Sequence, residues 1–166
     1  MTKEKFLEYC KEQGYNLTDD QFSGKERIDC TLYLSQLPEI PEGFNPKVGG
    51  DLDLRDLTSI PEGFNPEVGG SLYLCSLTSI PDGFSPEVGG DLDLRDLTSI
   101  PEGFNPEVGG SLYLINLTSI PKGFNPKVGR DLVLNGLIEI PENFNPNKVK
   151  GVIYPLYNIK FINFEI

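Results

Sequence analysis

Tyrosine, aspartate and arginine recur in this chain at fixed intervals. Tyr33, Asp53, Tyr73, Asp93, Tyr113 and Val133 follow one another every twenty residues. Two places further along run Ser35, Arg55, Cys75, Arg95, Ile115 and Asn135. Tyrosine and arginine are the side chains most enriched where proteins bind one another, and tyrosine offers a large contact area with few rotors to freeze. Carboxylates at close spacing, such as Asp51 and Asp53, could in principle divide acid and base roles. That division needs an environment that drives their pKa values apart, and nothing here suggests such a pocket. The chain has no histidine, which removes Ser–His and Cys–His nucleophile pairs and histidine metal sites. The expectation is a protein that binds and does not catalyse, with no cofactor and no metal.

The elements that carry these residues follow from a repeat. Six units of twenty residues start at Thr31, Asp51, Ser71, Asp91, Ser111 and Asp131, with the consensus xLxLxxLxxIPxGFNPxVGG. Residues 51–70 and 91–110 are identical, so the unit of duplication is a pair of repeats. Leu52 and Leu54 alternate with Asp51, Asp53 and Arg55, the period-two pattern of a half-buried strand. Leu57, Ile60, Phe64 and Val68 extend the core, and Pro61, Gly63 and Asn65-Pro66 turn the chain. A single unit cannot bury its own apolar face, but stacked copies can, with parallel strands at ~4.8 Å. The two prolines per unit argue against a helix on the outer arc. Extended and turn segments are expected there, with at most one 3₁₀ turn.

The LxLxxLxxIP pattern over residues 31–146 resembles the leucine-rich repeat family, in particular its short bacterial-effector type. The resemblance implies a solenoid that binds proteins through its strand face. It also implies a bacterial or phage origin and a helical cap at the N-terminus. Two departures stand out. Leu37, Leu57, Leu77, Leu97, Leu117 and Leu137 occupy the place of the family's usual asparagine, and the loop before Ile-Pro is two residues shorter. A straighter parallel β-solenoid is therefore the alternative to a curved horseshoe. Asparagines instead precede the second proline, at Asn45, Asn65, Asn105, Asn125 and Asn145, with Ser85 breaking the series. They could bond turn backbone in a ladder of their own.

The expected organisation is mainly β: a helical N-terminal cap over residues 1–30, six repeats over 31–146, and a β C-terminal cap over 147–166. Thr2 can cap a first helix carrying Phe6, Leu7, Tyr9 and Cys10, closed by Gly14. Thr18 and Gln21 fit a capping box for a second. Asn147 is a one-residue insertion. Beyond it, Val152, Ile153, Tyr154, Leu156, Tyr157, Ile159, Phe161, Ile162, Phe164 and Ile166 suggest closing strands, through which a dimer could form instead of a monomer.

The formal net charge is −11 in 166 residues. That balance gives no polycationic surface for nucleic acid or an anionic membrane. Cys10, Cys30 and Cys75 follow no metal spacing and suit a reducing compartment. No signal peptide or membrane span is visible, so a cytoplasmic location is expected. The leading expectation is a module that binds a partner protein through Tyr33, Asp53, Arg55, Tyr73, Asp93, Arg95 and Tyr113. One alternative is an acidic decoy that occupies a basic surface with Glu62, Glu67, Asp82, Glu87, Glu102 and Glu107. Another is a purely structural segment. The Thr-Ser pairs, from Thr58-Ser59 to Thr118-Ser119, are expected to serve turn hydrogen bonding, with an ice- or crystal-binding face as the remote alternative.

Overall fold

A computed structural model describes residues 1–137, 139–140, 143–154 and 160–161. The chain is a parallel β-solenoid in which each twenty-residue turn stacks on the one before. The Leu-x-Leu segments form a seven-stranded sheet: Leu32–Tyr33, Leu52–Asp53, Leu72–Tyr73, Leu92–Asp93, Leu112–Tyr113, Leu132–Val133 and Ile153–Tyr154. Every neighbour in this sheet is parallel and in strict register, so Leu52 faces Leu72 and Asp53 faces Tyr73. All its leucines point inward and are fully buried.

The outer arc differs from the sequence expectation in regularity. It carries a second sheet of six strands: Arg27–Ile28, Lys47–Val48, Glu67–Val68, Glu87–Val88, Glu107–Val108 and Lys127–Val128. The cause is local. The proline before each strand from Lys47–Val48 onward has no N–H and fixes φ, which keeps the segment extended. Its hydrogen-bonding groups then have only the adjacent turn as partner: Glu67 N–H donates to Pro46 O at 3.1 Å and Gly69 N–H to Val48 O at 2.8 Å. The paired glycines allow this approach. A Cβ on Gly109 would lie 2.2 Å from Gly89 O.

Between the sheets the core is a set of ladders. The rings of Phe44, Phe64, Phe84, Phe104, Phe124 and Phe144 stack at centroid separations of 6.2–6.5 Å. Leu, Ile and Val columns run beside them. At the N-terminal end, helix Lys3–Glu12 lays Phe6 and Cys10 over the first turn, with Phe6 4.5 Å from Phe44. Thr2 caps that helix and Gly14 ends it at φ 89°. Helix Asp19–Phe22 has the expected capping box between Thr18 and Gln21. Stacking begins at Arg27–Ile28, inside the segment assigned to the cap, because Ile28 pairs with Val48. Tyr15 closes the first edge of the leucine sheet, its hydroxyl accepting the Tyr33 N–H at 3.1 Å.

The insertion at Asn147 is absorbed by a 3₁₀ turn, Pro146–Lys148, in which Asn145 Oδ1 accepts the Asn147 N–H. The chain then resumes the coil one residue out of step, Val128 bridging Val149 and Leu132 facing Ile153. Beyond it, Lys160–Phe161 pairs with Glu139–Ile140. Leu156, Tyr157, Ile159, Ile162, Phe164 and Ile166 lie outside the described residues.

Candidate functional site

The outer face of the leucine sheet brings the seven expected residues together in two adjacent columns. In the middle column the register runs Tyr33, Asp53, Tyr73, Asp93, Tyr113, Val133, Tyr154. Tyr33 is 62% exposed and Tyr154 41%. Tyr73 and Tyr113 are half-buried.

Asp53 and Asp93 depart from the simple outward picture. They sit on this face but are only 4% and 3% exposed. Period-two alternation assigns the side of a sheet, and it does not reveal what lies across the side chain there. Here a tyrosine stands in the same column on either side, and the arginine two residues on spans the carboxylate. Arg55 Nε donates to Asp53 Oδ1 at 2.9 Å and Nη2 to Oδ2 at 2.6 Å, and the Arg55 backbone N–H also donates to Oδ1. Arg95 repeats the arrangement on Asp93. Of the carboxylates in each arginine's own turn, only the one two residues before it is bound in this way. The hydrogen bonds to Asp93, and then its charge, raise the Arg95 pKa above its ordinary value. The same two causes raise that of Arg55.

Both guanidinium groups remain about half exposed. Each uses Nε and Nη2 on its aspartate, which leaves further N–H donors free. Arg55 also lies over Tyr73, with Cζ 5.8 Å from the ring centroid. Cys75 is half-buried between the two arginines. Burial pushes its thiol up to about 11, helped by Asp93.

The first outward column is committed to structure. Thr31 Oγ1 accepts the Asp51 N–H, Asp51 Oδ1 the Ser71 N–H, Ser71 Oγ the Asp91 N–H and Asp91 Oδ1 the Ser111 N–H. The ladder continues through Ser111 and Asp131 to the Val152 N–H. Each side chain thus ties its own turn to the next. Alternation alone places this column on the surface, because it does not show a side chain folding back on backbone.

The asparagine ladder forms as the sequence suggests. Asn45 Oδ1 accepts the Asn65 N–H at 2.5 Å, and its Nδ2 donates to Gly63 O at 2.7 Å. Asn65, Asn105 and Asn125 repeat both contacts. The Thr-Ser rows are exposed, and Thr98 Oγ1 donates to Thr78 O.

On the valine sheet, the outward column reads Arg27, Lys47, Glu67, Glu87, Glu107, Lys127. An open trough of about 760 Å³ runs beside it, lined in part by Lys47, Glu67, Glu87, Glu107 and Gly89. The acidic stripe is short and closed at both ends. Lys47 Nζ lies 2.6 Å from Glu67, and Lys127 pairs with Glu107. Glu62, Asp82 and Glu102 form an exposed row on the adjoining turns, and Lys122 follows them in the repeat.

Among the described residues, no group of three acidic or cysteine side chains is placed to hold a metal ion. No described helix is long and apolar enough to cross a membrane. Comparison of the chain with protein-family models, curated proteins and solved structures gives no match.

Proposed function

We propose that this solenoid is a non-catalytic binding module that engages a partner protein through the outer face of its leucine sheet. The observation that carries the reading is the fixing of Arg55 and Arg95 over buried aspartates, between tyrosines of which Tyr33 is exposed and Tyr73 and Tyr113 are half-buried. An arginine anchored at Nε and Nη2 has already lost much of its side-chain freedom, so binding through its remaining donors costs less entropy. Tyrosines held in register on a sheet have the same advantage. Repeat solenoids commonly present such extended surfaces, and the resemblance to leucine-rich repeats points to the same face.

The acidic-decoy alternative is less well supported, because lysines close the stripe at Glu67 and Glu107. Salt separates the two readings, since binding by a charged stripe weakens steeply with ionic strength. The test is capture from host lysate at low and high salt, with wild type, Tyr73→Ala and Glu87→Ala. A partner retained at high salt, lost with Tyr73→Ala and kept with Glu87→Ala, is the expected result. A partner released by salt and lost with Glu87→Ala would contradict it.

A further inference from the structure

The tyrosines of the leucine sheet form a row with a period of two turns. Tyr33, Tyr73, Tyr113 and Tyr154 stand in one register, each separated from the next by one intervening turn. The row is not a plain copy of a duplicated unit. The residues beside the first three tyrosines have diverged to Ser35, Cys75 and Ile115, while tyrosine stays. The fourth keeps the phase even though Asn147 adds a residue to its turn. Two turns of stacking set successive tyrosines roughly 10 Å apart, the length of the two-sugar repeat of an extended β-1,4-linked glucan.

We propose that this row is a platform for such a glucan chain lying along the solenoid axis, with every second sugar against a tyrosine. The proposal rests on the reading that this face is the working surface, and it adds a second ligand class to it. The chemistry fits at three points. The axial C–H groups of a β-linked glucose form an apolar face that packs on an aromatic ring, while tyrosine keeps a hydroxyl for the sugar's rim. Between the tyrosines, Arg55 and Arg95 hold N–H donors that Asp53 and Asp93 do not use, suited to sugar hydroxyls. Each aspartate also cancels the charge of its arginine, so the row itself carries no net charge where an uncharged polymer would lie.

The test uses the full chain, cellohexaose in solution and microcrystalline cellulose as a solid phase, with soluble α-1,4-glucan as the control of different repeat. The wild type is expected to bind the β-1,4 ligands at low and high salt and to ignore the α-1,4 glucan. Tyr73→Ala should weaken cellohexaose binding about tenfold, and Tyr73→Phe should keep most of it, each variant first shown to melt like the wild type. A wild type that does not bind β-1,4-glucan, or that binds α-1,4-glucan equally, overturns the proposal. A chain that ignores glucan yet loses a protein partner with Tyr73→Ala would overturn this inference and leave the protein-binding reading standing. Failure to bind either ligand through Tyr73 would remove both.

Discussion

Arg95 lies across Asp93 so that a half-exposed guanidinium seals a carboxylate that is only 3% exposed. The pair occupies one turn, two residues apart, and its geometry is repeated at Arg55 and Asp53. A buried charge of this kind is held by its partner and leaves a penalty when the partner goes.

Arg95→Ala should therefore destabilise the fold by about 1–3 kcal/mol, the cost of an unsatisfied buried acceptor. The double variant Asp93→Ala/Arg95→Ala should recover part of that loss. Urea unfolding of the three proteins measures both effects. A double variant no more stable than Arg95→Ala would show that Asp93 does not depend on Arg95.

Ser85 interrupts the asparagine ladder. Asn65 Oδ1 accepts the Ser85 N–H, but no described bond from Ser85 reaches the Asn105 N–H or Gly103 O, the groups an asparagine would join. Ser85→Asn should supply both bonds and stabilise the protein by about 1–2 kcal/mol. A rise in melting temperature is the readout, and no change would mean that these groups are already satisfied in solution.

Two glycines of one turn should respond differently to alanine. Gly103 has φ 83° with no atom within 4 Å of an added Cβ, so Gly103→Ala should cost about 1 kcal/mol through backbone strain alone. Gly109 does not have a positive φ of this kind, but its Cβ would meet Gly89 O at 2.2 Å and Gly89 C at 3.0 Å. Gly109→Ala forces two turns apart and should cost clearly more. Equal losses on unfolding would contradict the close stacking of the valine sheet.

The three thiols should react in order. Cys30 is exposed, Cys75 is half-buried with its pKa raised to about 11, and Cys10 is buried with its pKa pushed up to about 12 by desolvation. A raised thiol pKa leaves less thiolate, the reactive form, at pH 8. Alkylation of the native protein followed by peptide mapping should label Cys30 first, Cys75 slowly and Cys10 only on unfolding. Early labelling of Cys10 would mean that the helical cap opens readily.

Much of this architecture is legible in the sequence. Leu52 and Leu54 declare a strand, Thr18 and Gln21 a capping box, and the Asn-Pro steps a ladder. Each signal is local or strictly periodic. The strand at Glu67–Val68 is less legible because two residues are too few to show alternation. The burial of Asp53 and the backbone role of Asp51 depend on what the adjacent turns place against them, and only stacking decides that. The Tyr and Arg columns could be read from spacing, whereas which nearby aspartate each arginine clamps could not.

The proposed binding surface is the outer face of the leucine sheet. It is tested most directly by placing a photo-reactive side chain at position 73 on that face, and separately at position 87 on the valine sheet, and irradiating each protein with its captured partner. A cross-link is expected from position 73 and none from position 87. A cross-link from position 87 alone would move the working surface to the opposite sheet.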